Sequence, residues 1–177
     1  MGRKLIVYIA MSVDGYIADC NDELSFLSIV EKEGEDYGYS NFVSTIDTVI
    51  IGRKTFDKIV SLGYPNPHPD KNVYIITRSP KSSFSNYQFY TGSLTNLVNT
   101  LKQETGNHIY CDGGAEIVNE LLKHNLVDEI ILSVIPILLG NGISLFKKEQ
   151  TSNQLELLSS KSFEKGLVQL HYKCLNK

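Results

Sequence analysis

Thr48-Val49-Ile50-Ile51-Gly52-Arg53-Lys54-Thr55-Phe56 and His108-Ile109-Tyr110-Cys111-Asp112-Gly113-Gly114-Ala115-Glu116-Ile117 follow one pattern: an apolar strand run, a glycine turn, then a helical stretch with no gap. A strand that enters a helix through glycine sets the unpaired amides of the first helical turn at the strand's carboxyl end. Those amides favour an anion, and glycine lets a ligand approach the backbone. Two such turns in one chain point to a single phosphate-rich ligand.

Outward from these turns, continuous apolar runs recur at 5–10, 49–51, 73–77, 109–111 and 130–139, with helical patterns predicted at 23–43, 55–61, 94–104 and 115–124. Runs without alternation suit strands covered on both faces, as in a parallel sheet. The expected class is therefore α/β, a mostly parallel central sheet flanked by helices. After Asp128 only strands follow, through a Leu139-Gly140-Asn141-Gly142 turn to runs at 155–160 and 167–175. The last two read as an antiparallel hairpin turning at Lys165-Gly166 on the sheet edge.

At 177 residues the chain is expected to be one domain spanning 1–177. A net charge of -3 gives no general attraction to nucleic acid or to an anionic membrane, so any anion site must be local. Cys20, Cys111 and Cys174 lack the spacing of a disulfide framework or a zinc site, and a cytoplasmic location is expected. No apolar stretch approaches the roughly 20 residues that span a bilayer. His68, His108, His124 and His171 are scattered without metal-ligand spacing, and the proline-stiffened stretch 64–69 reads as a connector.

Two basic clusters sharpen the ligand. Arg53 and Lys54 follow the first glycine, and Arg78, Ser79 and Lys81 follow the third apolar run, where a parallel sheet places its carboxyl-end loops. A nicotinamide cofactor with a 2′-phosphate needs such cations. The unphosphorylated form is usually held by an acidic residue following a three-glycine fingerprint, and that fingerprint is missing.

Ile9-Ala10 with Val13-Asp14-Gly15-Tyr16-Ile17-Ala18, then 49–56, 72–79 and Asp112-Gly113-Gly114 with its helix, resemble the dihydrofolate reductase-like fold. The segment from Leu126-Val127-Asp128-Glu129 through Pro136-Ile137-Leu138-Leu139-Gly140-Asn141-Gly142-Ile143-Ser144-Leu145-Phe146 is similar to the reductase domain of bacterial riboflavin biosynthesis. The resemblance implies an NADPH-dependent reductase acting on a small-molecule substrate, a heterocycle or pyrimidine-ribose. It places Ala10, Ile17 and Ala18 beside the nicotinamide. Gly52, Arg53, Lys54 and Thr55 would hold the pyrophosphate and adenosine phosphate, Thr77, Arg78 and Ser79 the adenosine end. Gly113, Gly114, Ala115 and Glu116 would bring a second helix start, with the paired glycines joined by a cis peptide.

The same resemblance makes Asp36 the candidate catalytic carboxylate, with Asp14, Leu139 and Gly140 on the substrate side. Asp14 alternatively orders its loop. The chain has no tryptophan, which folate reductases carry after the first strand, and no zinc-deaminase motif, so it is at most a stand-alone reductase. A folate or pterin reductase and a nucleotide-binding module without turnover are the alternative readings. A homodimer is expected from the edge hairpin.

Overall fold

The chain runs β1 (Leu5–Ser12), β2 (Tyr16–Ala18), a 3-10 turn (Ser25–Val30), α1 (Tyr39–Ser44), β3 (Ile46–Gly52), α2 (Arg53–Ser61), β4 (Asn72–Ile76), β5 (Tyr87–Tyr90), α3 (Leu94–Gln103) and β6 (His108–Gly113). It continues with α4 (Ala115–Lys123), β7 (Glu129–Ile135), β8 (Ile143–Ser144), β9 (Leu155–Ser162), a second 3-10 turn (Glu164–Gly166) and β10 (Val168–Cys174). The structure is a computed structural model and describes residues 2–65, 67–148 and 152–175.

Eight strands form one sheet in the order β5-β4-β3-β6-β1-β7-β10-β9, and β2 pairs with β8 in a small second sheet. From β5 to β7 every pairing is parallel, while β10 and β9 add an antiparallel hairpin at the edge. Lys165 and Gly166, both at positive φ (60° and 83°), turn that hairpin where the sequence places it.

Side-chain alternation along the strands divides the core. Leu5, Val7, Ile50, Ile109 and Cys111 face α3 and α4, packing on Leu97, Val98, Leu101, Val118 and Leu121. Ile6, Val49, Ile51, Val73, Ile75 and Tyr110 face the other way, against Phe42 of α1 and Phe56 of α2. Burying an aliphatic side chain stabilises by about 1.5–3 kcal/mol, and a one-residue slip would reverse every one of these residues, so the register is strongly fixed. Ser93 caps α3 by accepting from the Asn96 amide.

Two expectations need correction, and one strand was not foreseen. Residues 23–43 are not one helix: the 3-10 turn buries Phe26 and Val30 against Ile135 and Leu167, and then Gly34 (φ 77°), Tyr37 (φ 57°) and Gly38 (φ 84°) break the chain before α1. Backbone at positive φ cannot propagate a right-handed helix. The apolar run 130–139 is strand only to Ile135, since Pro136 has no amide for a ladder. Tyr87–Tyr90 is a further parallel strand beside β4.

Candidate active site

β3 and β6 are neighbours, yet α2 leads from β3 to β4 on one side while α4 leads from β6 across β1 to β7 on the other. The two crossovers diverge onto opposite faces, and this is where an open α/β sheet leaves a crevice at its carboxyl ends. Ile51 is in register with Gly113, so the two glycine turns lie side by side.

Both helices are nine residues long and start without a side-chain cap, at Gly52 and Gly114. The two helix starts are therefore adjacent. A Cβ on Gly52 would stand 3.1 Å from Ile117 Cγ1 and 3.5 Å from Gly114 N, and one on Gly114 would stand 2.7 Å from Thr55 Oγ1. The two turns thus lie within van der Waals contact, and a side chain at either glycine would have to displace its neighbour. Gly113 has φ 95° and is joined to Gly114 by a cis peptide. Ala115 is buried, and Glu116 turns outward to Lys147 (2.5 Å).

The residues that the resemblance assigns to the adenosine end stand further along the sheet. Gly52 is in register with Ile76, which brings Thr77, Arg78 and Ser79 beside the first turn. Thr77 Oγ1 accepts from the Ser79 amide (3.2 Å), bending this loop back. Arg53 Nε donates to both Asp57 carboxylate oxygens (2.7 and 2.8 Å), and its guanidinium lies 5.5 Å from the centre of the Phe89 ring. Lys81 approaches that ring to 5.1 Å. Lys54 and Arg78 are exposed, with no carboxylate partner among the described residues.

At the other end of the crevice two loops are tied together. Asp14 accepts from the amides of Leu139 (3.1 Å) and Gly140 (2.7 Å) and from the Ser12 hydroxyl (2.6 Å). The Ser12 bond, with help from these amides, holds the Asp14 carboxyl below the usual carboxylate range. The Val13 amide donates to the Ile137 carbonyl, the Leu145 amide to the Gly15 carbonyl, and β2 pairs with β8. Gly142 (φ 151°) presses so close to the Ala18 carbonyl that a Cβ there would collide with it. Asp14 accordingly orders its loop, and Ile17 and Ala18 are fixed in place by the same knot.

Beside Ala10 lies an open cleft of about 670 Å³, walled by Tyr8, Tyr37, Tyr39, Ser133, Ile135 and Leu167 and rimmed by residues 31–36 except Gly34. Tyr8 donates to the Tyr37 carbonyl (3.0 Å), and Gln169 Nε2 donates to the Tyr8 hydroxyl (2.8 Å) and to Ser133 Oγ (3.2 Å). Burial pushes the Tyr8 phenol above its ordinary pKa. None of this aromatic wall is visible as a motif, although Gln169 in an apolar strand is a trace of it.

Asp36 lines the same cleft but is engaged elsewhere. Its carboxylate accepts from the amides of Gly38 and Ser40 (both 2.9 Å), capping the start of α1. The Ser40 side chain, followed by these amides, holds it below the usual carboxylate range.

One histidine is built into the core. His68, from the proline-stiffened connector, is only 5% exposed and meets Asp112 (Nε2 to Oδ2, 2.9 Å). Tyr110 donates to Asp112 Oδ1 (2.7 Å), so this carboxylate joins a buried network one residue before the paired glycines. The signal was present in Asp112, an acid at the end of a buried strand, but its partner stands 44 residues earlier.

Residues 3–169 match the RibD C-terminal domain family. The Bacillus subtilis (strain 168) protein YwjB, described as uncharacterised, is 42% identical over 173 residues, which is 97% of this chain and 98% of YwjB. A putative riboflavin biosynthesis protein from Shewanella sp. PV-4 has a crystal structure that matches with a TM-score of 0.87 at 29% identity, covering 97% of this chain and 98% of that one. Dihydrofolate reductase from Enterococcus faecalis, solved with NADP(H) and RAB-propyl, matches with a TM-score of 0.69 at 14% identity over 99% of each chain, a likeness of fold. On a dihydrofolate reductase-like sheet, then, the chain belongs to the RibD C-terminal domain family.

Proposed function

We propose that the chain is an NADPH-dependent reductase of the RibD C-terminal type, acting on a small heterocyclic or pyrimidine-ribose substrate in the cleft beside Tyr8 and Ser133. The observation that carries this reading is the meeting of two uncapped helix starts across glycines where a Cβ would press on neighbouring side chains. A dinucleotide pyrophosphate fits that cradle: it needs amide donors, close backbone approach and no bulk.

Each residue then has a task. Gly52, Thr55, Gly113, Gly114 and Ala115 receive the pyrophosphate. Arg53, Lys54, Thr77, Arg78 and Ser79 surround the adenosine ribose and its 2′-phosphate, with Lys54 and Arg78 as the available cations. Ala10, Ile17 and Ala18 flank the nicotinamide, while the knot of Asp14 with Leu139 and Gly140 holds Ile17 and Ala18 in position. When bound, the cofactor supplies the hydride; orientation and desolvation are this chain's share.

Calorimetric titration of the folded protein with NADPH and NADH, followed by NADPH oxidation across a panel of pterins and pyrimidines, tests the reading. Tighter uptake of NADPH and consumption with a panel member are expected. No uptake of either coenzyme would sink it.

One observation favours a pterin-type substrate over a phosphoribosylated one. Glu31, Glu33, Glu35 and Asp36 rim the cleft, and Lys32, the cation among them, is paired with Glu164 (2.6 Å). Such a rim repels phosphate and accepts the amino groups of an uncharged or protonated ring. Comparing phosphorylated with unphosphorylated pyrimidines in the panel separates the two.

A further inference from the structure

Across β1, β7 and β10 the small residues Ala10 and Ser133 stand in one row with Gln169. Ala10 and Ser133 line the tyrosine-walled cleft, and Gln169 acts on it through its neighbours. Ser133 is only 5% exposed. With Tyr8 it supplies the side-chain polar atoms of a sheet side otherwise made of Ala10, Ile135 and Leu167.

The Gln169 amide settles which way those atoms face. Its nitrogen lies 2.8 Å from Tyr8 Oη, 3.2 Å from Ser133 Oγ and 3.2 Å from the Tyr37 carbonyl oxygen. A carbonyl only accepts, so the amide must turn its nitrogen rather than its oxygen to this group. Ser133 Oγ therefore accepts from Gln169, and its own hydrogen is left to give. Within the protein that hydrogen can reach Tyr8 Oη, which already accepts from Gln169 and donates to the Tyr37 carbonyl (3.0 Å). An acceptor on a ring in the cleft carries no such prior bonds and takes the hydrogen more readily. The rim is the reverse of this wall: the carboxylates of Glu31, Glu33, Glu35 and Asp36 only accept.

We propose that Ser133 selects the substrate by donating to a ring carbonyl oxygen, and that Gln169 is the positioning residue that compels it to donate; the ring's role as substrate rests on the reductase reading above. The ligand class is then an amino-oxo heterocycle, laid with its oxo edge on Ser133 and its amino edge toward the acidic rim. A ring with amino groups on both edges sets a donor against the Ser133 donor and is held less well.

Calorimetric titration of the protein, with and without NADPH, reads this selection. The probes are 6-methylpterin and 2,4-diamino-6-methylpteridine, which carry an oxo and an amino group at the same ring position. The wild type should prefer 6-methylpterin by about tenfold or more, a preference lost in Ser133→Ala and kept in Ser133→Thr, which retains the hydroxyl. Gln169→Glu replaces the donor with an acceptor of the Ser133 hydrogen, so the preference should invert toward the diamino ring, whereas a glutamine needed only for packing would leave it unmoved. Circular dichroism checks that each variant is folded, and should Gln169→Glu not fold, the two Ser133 variants decide. A wild type that binds neither ring, binds both equally or prefers the diamino ring overturns the proposal, as does a preference that survives Ser133→Ala. NADPH uptake alongside any of those results leaves the reductase reading standing. The expected ring preference without NADPH uptake keeps Ser133 as the selecting group and sinks the reductase reading.

Discussion

Thr55 Oγ1 lies 2.7 Å from the point where a Cβ on Gly114 would stand, so the first turn of one helix leans directly on the glycine that opens the other. Gly114→Val must push Thr55 aside and fill the approach to both sets of amides. The expected result is a folded protein whose NADPH affinity falls at least tenfold, a loss of about 1.4 kcal/mol or more. Circular dichroism and calorimetric titration together check it, and unchanged affinity would remove this turn from the proposed site.

Gly142 is the corresponding point in the closing knot. Its φ is 151°, and the Ala18 carbonyl occupies the place that the first carbon of a side chain would need, so Gly142→Ala has to part β8 from β2. A stability loss on the order of 1–3 kcal/mol is expected, read as a lower thermal midpoint. Proteolytic cleavage near 138–144 should quicken as well. A variant with wild-type melting and protease resistance would show that the loops are not held here.

At the opposite end of the sheet Arg3 is a buried guanidinium that ties several elements together. It donates to the carbonyls of Leu101 (3.1 Å) and Asn107 (2.7 Å) and to Thr48 Oγ1 (2.8 Å), and it pairs with Asp47. Arg3→Met keeps the apolar stem and deletes every bond. Urea denaturation should show a loss of at least about 2 kcal/mol, because carbonyls and a carboxylate are left without their donor. NADPH binding to the remaining folded fraction should be unaffected.

Glu129 gives the fold a dependence on acid. Burial alone would raise its carboxyl, but hydrogen bonds from Lys4 (2.5 Å) and His171 (2.8 Å) outweigh it and hold the group below the usual carboxylate range. The folded pKa is therefore below the unfolded one. Its stabilisation is present above roughly pH 4.3, the unfolded value, and is lost as pH falls through the lower folded value. Unfolding measured between neutral pH and about pH 3 should show a shallower acid limb in Glu129→Gln than in the wild type.

We propose that two copies of the chain associate through the outer hairpin. All eight residues of β9 are exposed, with Leu155, Leu157 and Leu158 among the large apolar side chains in solvent, and an unguarded edge of this kind invites pairing. Sedimentation should report a dimer that Leu157→Lys dissociates. A single species of about 20 kDa for the wild type would end the proposal.

Strands β1, β3, β4, β6 and β7 and the two glycine turns were legible because each depends on residues close in sequence: unbroken apolar runs, a glycine, then a helical period. The outer hairpin was legible for the same reason, through Lys165-Gly166. Residues 23–43 were not, because Glu31, Glu33, Glu35 and Asp36 resemble a solvated helical face, whereas Gly34 and Gly38 at positive φ decide the backbone there. The aromatic cleft was not legible at all. Tyr8, Tyr39, Ser133 and Gln169 come from four separate elements, and the pairing of His68 with Asp112 is a tertiary fact that no local spacing encodes.

The position of β1 has a consequence for how the molecule comes into being. Leu5 pairs with Ile109 and Ile6 with Glu129, so the earliest of these strands to leave the ribosome waits for partners that emerge more than a hundred residues later. Until then its apolar side chains have no sheet to join, and β3, β4 and β5 can assemble without it. Closure of such distant pairs is slow, and the waiting strand is the segment a chaperone or a misfolded aggregate would meet first. The crevice between Gly52 and Gly113 can take shape only once β6 has emerged, so a nascent chain has nowhere to hold a dinucleotide until most of its parallel strands have been made.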